Sequence, residues 1–263
     1  MFALKVLITF AVDAEFAPWK RRYHFYPLRR DFPALGASVE LYEAEKDGLE
    51  ILVLLTGIGW GLWKDRCPVR AVLLSESADV CISTGLAGGL AASQKHGDVL
   101  VARNVQLIST KATVACNSNL VASAVGCGAR AVNAFLTNDS IVSDAGDKKD
   151  LSAKGDAVEM ESFHVLSAAN SVSARSVAIR AVSDALDEDL PLDISEVVDR
   201  RGHVRWGKML REVGYHPQRI PALVKFGRQS QLAATKLADF LDRYVDALTK
   251  PELPLAKEGV VAA

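Results

Sequence analysis

The stretch Val80-Cys-Ile-Ser-Thr-Gly-Leu-Ala-Gly-Gly89 joins a short apolar run to a cluster of glycines. A continuous apolar run of this length is typical of a strand that is buried on both faces of a sheet. The same pattern predicts further strands at Leu4–Val12, Glu50–Thr56, Gly97–Ile108, Ala131–Leu136 and Ser176–Val182.

Helix-like segments lie before or after several of these strands. We predict helices at Phe16–Tyr23, Trp60–Ser75, Glu161–Asn170 and Arg219–Thr249. Strands that alternate with helices indicate a central sheet covered by helices on both faces. We therefore expect one α/β domain with a mixed, mostly parallel sheet. It would comprise a core (1–190) and a helical C-terminal extension (191–263) packed on that core. The polar stretches Asp144–Lys154 and Asp187–Gly202 are interpreted as loops.

The composition excludes several classes of protein. The 263 residues suffice for one large α/β domain, and the net charge of -1 gives no electrostatic reason to expect a nucleic acid partner. No C-x-x-C or H-E-x-x-H motif is present among the four cysteines and five histidines, so neither a metal site nor a cofactor is expected. Free thiols suit a reducing compartment, so we expect a cytoplasmic protein. The sequence has no run of about eighteen apolar residues, so no transmembrane helix is expected.

Polar or glycine-rich residues follow four of the predicted strands. In open α/β sheets, ligands bind beyond the carboxyl ends of the strands. Each signature alone has a structural explanation, because acids often cap helices and glycines often mark turns. The four signatures are Ala11–Glu15, Thr56–Gly59, Ser83–Gly89 and Arg180–Asp184, and a fifth, Ala157–Ser162, begins a helix.

Taken together, these signatures resemble the nucleoside phosphorylase and nucleosidase superfamily over about Leu4–Asp187. The similarity is greatest to its methylthioadenosine/S-adenosylhomocysteine nucleosidase branch. The resemblance implies a homodimeric enzyme that hydrolyses the N-glycosidic bond of an adenosine derivative and releases adenine. The motifs are A-V-D-A-E (residues 11–15), T-G-L-A-G-G-L (84–90), V-E-M-E-S (158–162) and R-A-V-S-D (180–184).

The resemblance assigns two catalytic acids. Glu15 would be the general base that activates the attacking water, and Asp184, oriented by Ser183, would be the general acid at N7 of the purine. An ordinary aspartate has a pKa of about 3.9, so keeping it protonated at pH 7 costs roughly 4 kcal/mol. We therefore expect Asp184 to be partly desolvated, since burial reduces that cost.

The remaining substrate contacts also follow from the resemblance. Glu161 would hold the ribose hydroxyls, Met160 would pack on the sugar, and Glu159 would lie near it. Gly85 would let the backbone approach the sugar and the nucleophile.

The chain departs from the family pattern at two positions. Leu86 replaces the usual hydroxyl residue before A-G-G-L. At Ile141 and Val142, where the nucleosidases stack an aromatic ring on the purine, the chain offers an aliphatic side chain.

Three alternatives remain open. The first is a phosphorylase, although the acids Asp13 and Glu15 would repel a phosphate nucleophile. The second is a nucleoside-binding module without catalysis. The third is similarity to the hopanoid-associated subgroup, which is carried by 190–193, 207–210 and 221–226. That subgroup would act on adenosylhopane, and the basic, amphipathic segment Arg219–Tyr244 would then either touch a membrane surface weakly or simply pack on the domain.

Overall fold

The computed structural model describes residues 4–32, 37–59, 68–191, 218 and 220–249. In these residues, eleven strands form a single sheet. The strands are β1 (Leu4–Phe10), β2 (Tyr26–Phe32), β3 (Ala37–Lys46), β4 (Leu49–Leu55), β5 (Val80–Ser83), β6 (Leu86–Gly89), β7 (Val99–Leu107), β8 (Thr113–Ala115), β9 (Arg130–Thr137), β10 (Ala157–Glu159) and β11 (Arg175–Asp184). The helices are α1 (Asp13–Lys20), α2 (Pro68–Glu76), α3 (Ser118–Gly126), α4 (Ala145–Ser152), α5 (Ser162–Asn170) and α6 (Ile220–Leu248).

The sheet is mixed, with its parallel part at the centre. The strand order is β2-β3-β4-β1-β5-β11-β6-β10-β9-β7-β8, and β11 pairs in addition with β7. β1, β4, β5 and β11 run parallel, and β11 is buried along almost its whole length. Burial on both faces explains why these strands have continuous apolar runs. The predicted α/β fold with helices around a mixed sheet is confirmed.

The sequence patterns did not predict β2 and β3, which form an antiparallel edge of the sheet. β2 pairs with β3 in antiparallel register from Tyr26↔Glu43 to Phe32↔Ala37. All but one of the side chains of β2 are at least partly exposed. A strand at a solvated edge has no continuous apolar run, so the pattern that identified the central strands does not apply to it.

The predicted loop Asp144–Lys154 is wrong, because most of it forms α4. The Asp144 side chain caps this helix by accepting hydrogen bonds from the backbone N–H groups of Gly146 (2.7 Å) and Asp147 (3.3 Å). Lys148 is the one buried residue of the helix. A helix without an apolar stripe gives no helical periodicity in the sequence, which is why the pattern indicated a loop.

Helix α6 is part of the domain. From Ala233 onward it buries an apolar face. Trp19 Nε1 donates a hydrogen bond to Asp242 Oδ1 (2.9 Å), and Tyr244 Oη donates one to the carbonyl of Leu120 (3.0 Å). No helix in the described ranges is both long and apolar enough to cross a membrane.

Several predicted features lie outside the described residues. These are the first part of the predicted helix Trp60–Ser75, whose remainder is α2 beginning at Pro68, and most of the predicted loop Asp187–Gly202. Most of the segment between position 190 and α6 is also outside them, so the proposed boundary at 190/191 stays a prediction.

Candidate active site

Glu15 lies at the start of α1, directly after β1. Its Oε1 accepts a hydrogen bond from the N–H of Leu86 (3.0 Å), and its Oε2 accepts one from the N–H of Ala11 (3.0 Å). Burial raises the pKa of Glu15, although these N–H groups and the charge of Arg180 oppose the shift. A carboxylate with a raised pKa is a better proton acceptor near neutral pH than an ordinary glutamate.

Gly85 lets the backbone approach this carboxylate. Its φ is +145°, which L side chains rarely adopt, and an added Cβ would lie 3.0 Å from Glu15 Oε2. A side chain at position 85 would therefore both strain the turn and displace the carboxylate.

Arg180 forms the centre of a buried charge cluster, a role that the sequence analysis did not assign. The guanidinium is 1% exposed. Its Nη2 donates to Glu159 Oε2 (2.6 Å) and to Ser83 Oγ (3.2 Å), and it lies 3.8 Å from Glu161 Oε2. Its Nε has no hydrogen-bond partner within the described part of the chain. An arginine inside an otherwise apolar strand was the available signal, because a buried cation requires partners.

Glu159 is held almost entirely by the protein. It accepts hydrogen bonds from Thr137 Oγ1 and from the backbone N–H groups of Glu161 (3.0 Å) and Ser162 (2.7 Å). Burial opposes ionisation, but Arg180 and these donors outweigh it and keep the pKa of Glu159 below its ordinary value. Glu159 therefore orients Arg180 and satisfies the first N–H groups of α5.

Glu161 and Met160 both meet the turn that follows β4. Glu161 Oε1 accepts a hydrogen bond from the N–H of Gly59 (2.9 Å), and the terminal methyl of Met160 lies 3.1 Å from where a Cβ on Gly59 would be. Burial and the neighbouring charge of Glu159 raise the pKa of Glu161 to about 8, with Arg180 acting in the opposite direction. The two residues that the resemblance assigns to the sugar therefore lie side by side.

Asp184 is aimed by a bulge in β11. Val182 pairs with Ala87 and Asp184 with Gly88, so Ser183 is the extra residue between them. Such bulges re-aim side chains beside active sites. Ser183 Oγ lies 2.7 Å from Asp184 Oδ1 and donates to it, and Asp184 is 6% exposed, in line with the desolvation that its proposed role requires.

Lys148 is the second charged residue of the candidate site whose position the sequence did not indicate. This side chain is fully buried and donates from Nζ to Asp184 Oδ2, to the carbonyl of Ala185 (3.1 Å) and to the carbonyl of Glu188 (2.7 Å). It lay in the stretch interpreted as a loop, so nothing in the local pattern indicated that it is buried.

The two proposed catalytic acids, which belong to α1 and β11, both contact strand β6. Glu15 bonds to Leu86 at the start of β6, and an added Cβ on Gly88 of the same strand would lie 3.0 Å from Asp184 Oδ2. Because a strand rises about 3.3 Å per residue, the two contact points are about 7 Å apart. The charge of Arg180 lowers the pKa of Glu15, and the charge of Glu15 raises the pKa of Glu161. The three groups are therefore close enough to interact electrostatically.

A cavity of about 210 Å³ adjoins Asp184. Glu15 does not line this cavity. The two acids therefore share contact with β6, and they do not share the cavity. Its other lining residues are Glu188, Asp189, Leu190, Pro191, Ala222, Lys225, Phe226 and Gln229.

The two residues that the resemblance places near the purine, Ile141 and Val142, lie in the loop before α4. Val142 packs against the small apolar cluster of Leu90, Leu136 and Val158. Ile141 is half-buried in the loop before α4. Within the described ranges, no group of three or more His, Cys, Asp or Glu side chains is arranged to hold a metal ion.

Known structures share this fold. The methylthioadenosine/S-adenosylhomocysteine nucleosidase of Helicobacter pylori matches with a TM-score of 0.70 and 18% identity, over 94% of this chain and 99% of that chain. The futalosine hydrolase of Helicobacter pylori matches with a TM-score of 0.69 and 18% identity, over 93% and 98%. The nucleosidase of Neisseria meningitidis, in complex with methylthio-immucillin-A, matches with a TM-score of 0.66 and 20% identity, over 92% and 98%.

The family is shown by the sequence itself. Residues 5–205, which include both proposed catalytic acids together with Lys148, Arg180 and the segment 159–161, match the model of the phosphorylase superfamily, and the chain belongs to this family of enzymes.

Proposed function

We propose that the protein is a purine nucleosidase that hydrolyses the N-glycosidic bond of an adenosine derivative and releases adenine. The observation that carries the proposal is that two desolvated acids, Glu15 and Asp184, contact β6 two residues apart, at Leu86 and at Gly88. In this arrangement Glu15 could activate a water molecule that attacks the sugar, and Asp184 could protonate the purine base. The similarity in fold to nucleosidases and a futalosine hydrolase supports the same reaction class.

In the proposed mechanism, Glu15 takes a proton from the attacking water. Its two oxygens are fixed by backbone N–H groups, so the carboxylate is oriented before substrate binds. Water is a poor nucleophile until a base removes its proton, and a positioned base typically contributes about 10²–10⁴ in rate. The Nε of Arg180, which has no hydrogen-bond partner among the described residues, and the nearby hydroxyl of Ser83 are suited to orienting that water.

Glu161 and Met160 would bind the ribose. As the glycosidic bond breaks, the sugar becomes cation-like and is stabilised by nearby carboxylates. With a pKa of about 8, Glu161 is mostly protonated in the empty site at neutral pH. A ribose hydroxyl or the developing positive charge would then favour its ionised form. Glu159 would support this site through Arg180 rather than bind the sugar itself.

Water is favoured over phosphate as the nucleophile. A phosphate site needs converging cationic or N–H donors that are not already neutralised. Among the described residues around the single guanidinium of Arg180 there are three carboxyl groups, those of Glu15, Glu159 and Glu161. Because the ionised Glu159 already neutralises this guanidinium, the cluster has no net positive charge with which to bind a phosphate. The non-catalytic alternative leaves the raised pKa of Glu15 without a role.

The substituent on the ribose 5′ carbon is the finer part of the proposal. A thioether, as in methylthioadenosine or S-adenosylhomocysteine, is supported by the nucleosidases of the same fold. The hopanoid alternative, adenosylhopane, is supported by the exposed apolar side chains Ile220 and Val224 at the start of α6. These residues would also make a weak membrane-surface contact, which flotation with anionic liposomes tests. A homodimer is proposed from the family resemblance and is tested by light scattering.

The decisive experiment measures adenine release from 5′-methylthioadenosine by the purified protein, with and without phosphate. We expect release that does not depend on phosphate and is accompanied by free methylthioribose. Glu15→Gln should lower kcat by about 10²–10⁴, because the base is lost while the fold is retained. Glu45→Gln, the same chemical change at an exposed glutamate of β3, is the matched control and should leave kcat unchanged. Formation of a sugar phosphate, or full activity of the Glu15→Gln variant, would contradict the mechanism.

A further inference from the structure

Lys148 is the only buried residue of α4, and its position is unusual for a lysine. The side chain is fully buried, whereas the adjacent Lys149 is exposed. An ammonium removed from water costs several kcal/mol unless it is paired and hydrogen-bonded. Helix α4 therefore places the Lys148 ammonium in direct contact with the Asp184 carboxyl group.

The hydrogen bonds of Lys148 indicate its protonation state. Nζ has three acceptors: Asp184 Oδ2 and the carbonyls of Ala185 and Glu188. A lysine ammonium has three N–H donors, and a neutral amine has two. The three acceptors around Nζ therefore match the three donors of a lysine ammonium, one of which faces the Asp184 carboxyl group.

This pairing bears on the source of the proton that the purine needs. If Asp184 alone supplied it, the carboxyl group would have to carry that proton before the substrate binds, which is unfavourable for an aspartate at neutral pH. A lysine is protonated at neutral pH without that cost. As the glycosidic bond breaks, its electron pair moves onto the purine, whose ring nitrogens become strongly basic. The donor therefore does not need to be a strong acid.

We propose that Lys148 is a positioning residue of the active site, and that it holds Asp184 and supplies the proton which Asp184 passes to the leaving purine. In this step a Lys148 N–H bond breaks and an O–H bond forms on Asp184. The Asp184 proton moves to N7 as the C–N bond breaks with its electron pair going to the base. Lys148 is left as a neutral amine, and a proton from water restores it through Asp184 after adenine leaves. The inference rests on the proposed nucleosidase function.

A purely structural role is the competing explanation. The bonds to the carbonyls of Ala185 and Glu188 would fix the turn after β11 even if no proton moved. The two explanations differ in one measurable respect. A structural defect would slow every substrate, whereas loss of the proton source would slow only those substrates whose leaving group requires a proton.

The test compares two substrates that share a sugar. One is 5′-methylthioadenosine, and the other is the 4-nitrophenyl glycoside of 5-methylthioribose, whose leaving group departs as a stable anion. We expect Lys148→Met to lower kcat for methylthioadenosine by about 10²–10³ while changing kcat for the nitrophenyl glycoside by less than about 3-fold. Lys149→Met, an exposed change on the same helix, should leave both unchanged.

Lys148→Arg keeps the inference testable if the methionine variant does not fold. An arginine retains the buried charge but does not give up its proton in proteins. It should therefore show the same selective loss with methylthioadenosine. Equal losses with both substrates, or full activity of Lys148→Arg with methylthioadenosine, would overturn the proton-source role. If the unaltered protein cleaves neither substrate, the assignment of a thioether substituent in the proposed function fails, which is a result distinguishable from a selective loss in the variants.

Discussion

At the scale of single residues, Arg180 and Glu159 explain how charge is retained inside the sheet. Each is buried, and each is the closest charged partner of the other, at 2.6 Å. A buried pair of this kind contributes little net stability, but removal of one member leaves an uncompensated charge. The pair therefore fixes the position of a guanidinium in the site.

Glu161 should destabilise the fold increasingly as the pH rises. Its pKa is raised from 4.5 to about 8, so between these values the folded state binds more protons than the unfolded chain. The free energy of unfolding therefore falls as the pH rises through this window. Glu161→Gln should raise this free energy at pH 8.5 by on the order of 1–3 kcal/mol, and much less at pH 5, while activity decreases.

Urea unfolding at the two pH values measures this effect. Glu45→Gln, a change at an exposed glutamate on β3, serves as the control and should show no pH-dependent difference. A gain in stability of the same size at pH 5 and pH 8.5 would contradict the assigned cause.

At the scale of elements, α4 depends on its cap rather than on an apolar face. Asp144 accepts hydrogen bonds from two of the N–H groups that have no partner within the helix. Asp144→Ala should lower the free energy of unfolding by about 1 kcal/mol, whereas Asp144→Asn should lower it by only a few tenths. Chemical denaturation followed by circular dichroism measures both. An equal loss in the two variants would instead assign the effect to the charge of Asp144.

At the scale of the whole molecule, α6 joins the C-terminal region to the sheet. Leu237 is fully buried, whereas Leu232, on the same helix, is 45% exposed. Leu237→Ala should lower the free energy of unfolding by about 2–5 kcal/mol, because it leaves a cavity between α6 and the sheet. Leu232→Ala should change it by less than about 0.5 kcal/mol. Denaturant titration of both variants checks this, and similar losses would show that α6 is not anchored by that face.

The sequence by itself determined the central strands, the α/β class and the family motifs. Their signals are local, since a strand buried on both faces needs an uninterrupted apolar run and a catalytic turn needs its glycines at fixed positions. Glu15, Gly85 and Asp184 were assigned through the resemblance that these motifs carry together, because each motif alone also has a structural explanation. The solvated edge strands and the capped helix α4 could not, because their stability does not come from an apolar pattern.

Only the tertiary structure decided which charged groups meet. Lys148 reaches Asp184 across 36 residues, Arg180 reaches Glu159 across 21, and Glu15 reaches the N–H of Leu86 across 71. These contacts follow from strand order, from register and from the bulge at Ser183, all of which arise only once the sheet has formed. The physical reason is that burial and pairing of charge are properties of packing, and no stretch of sequence carries them alone.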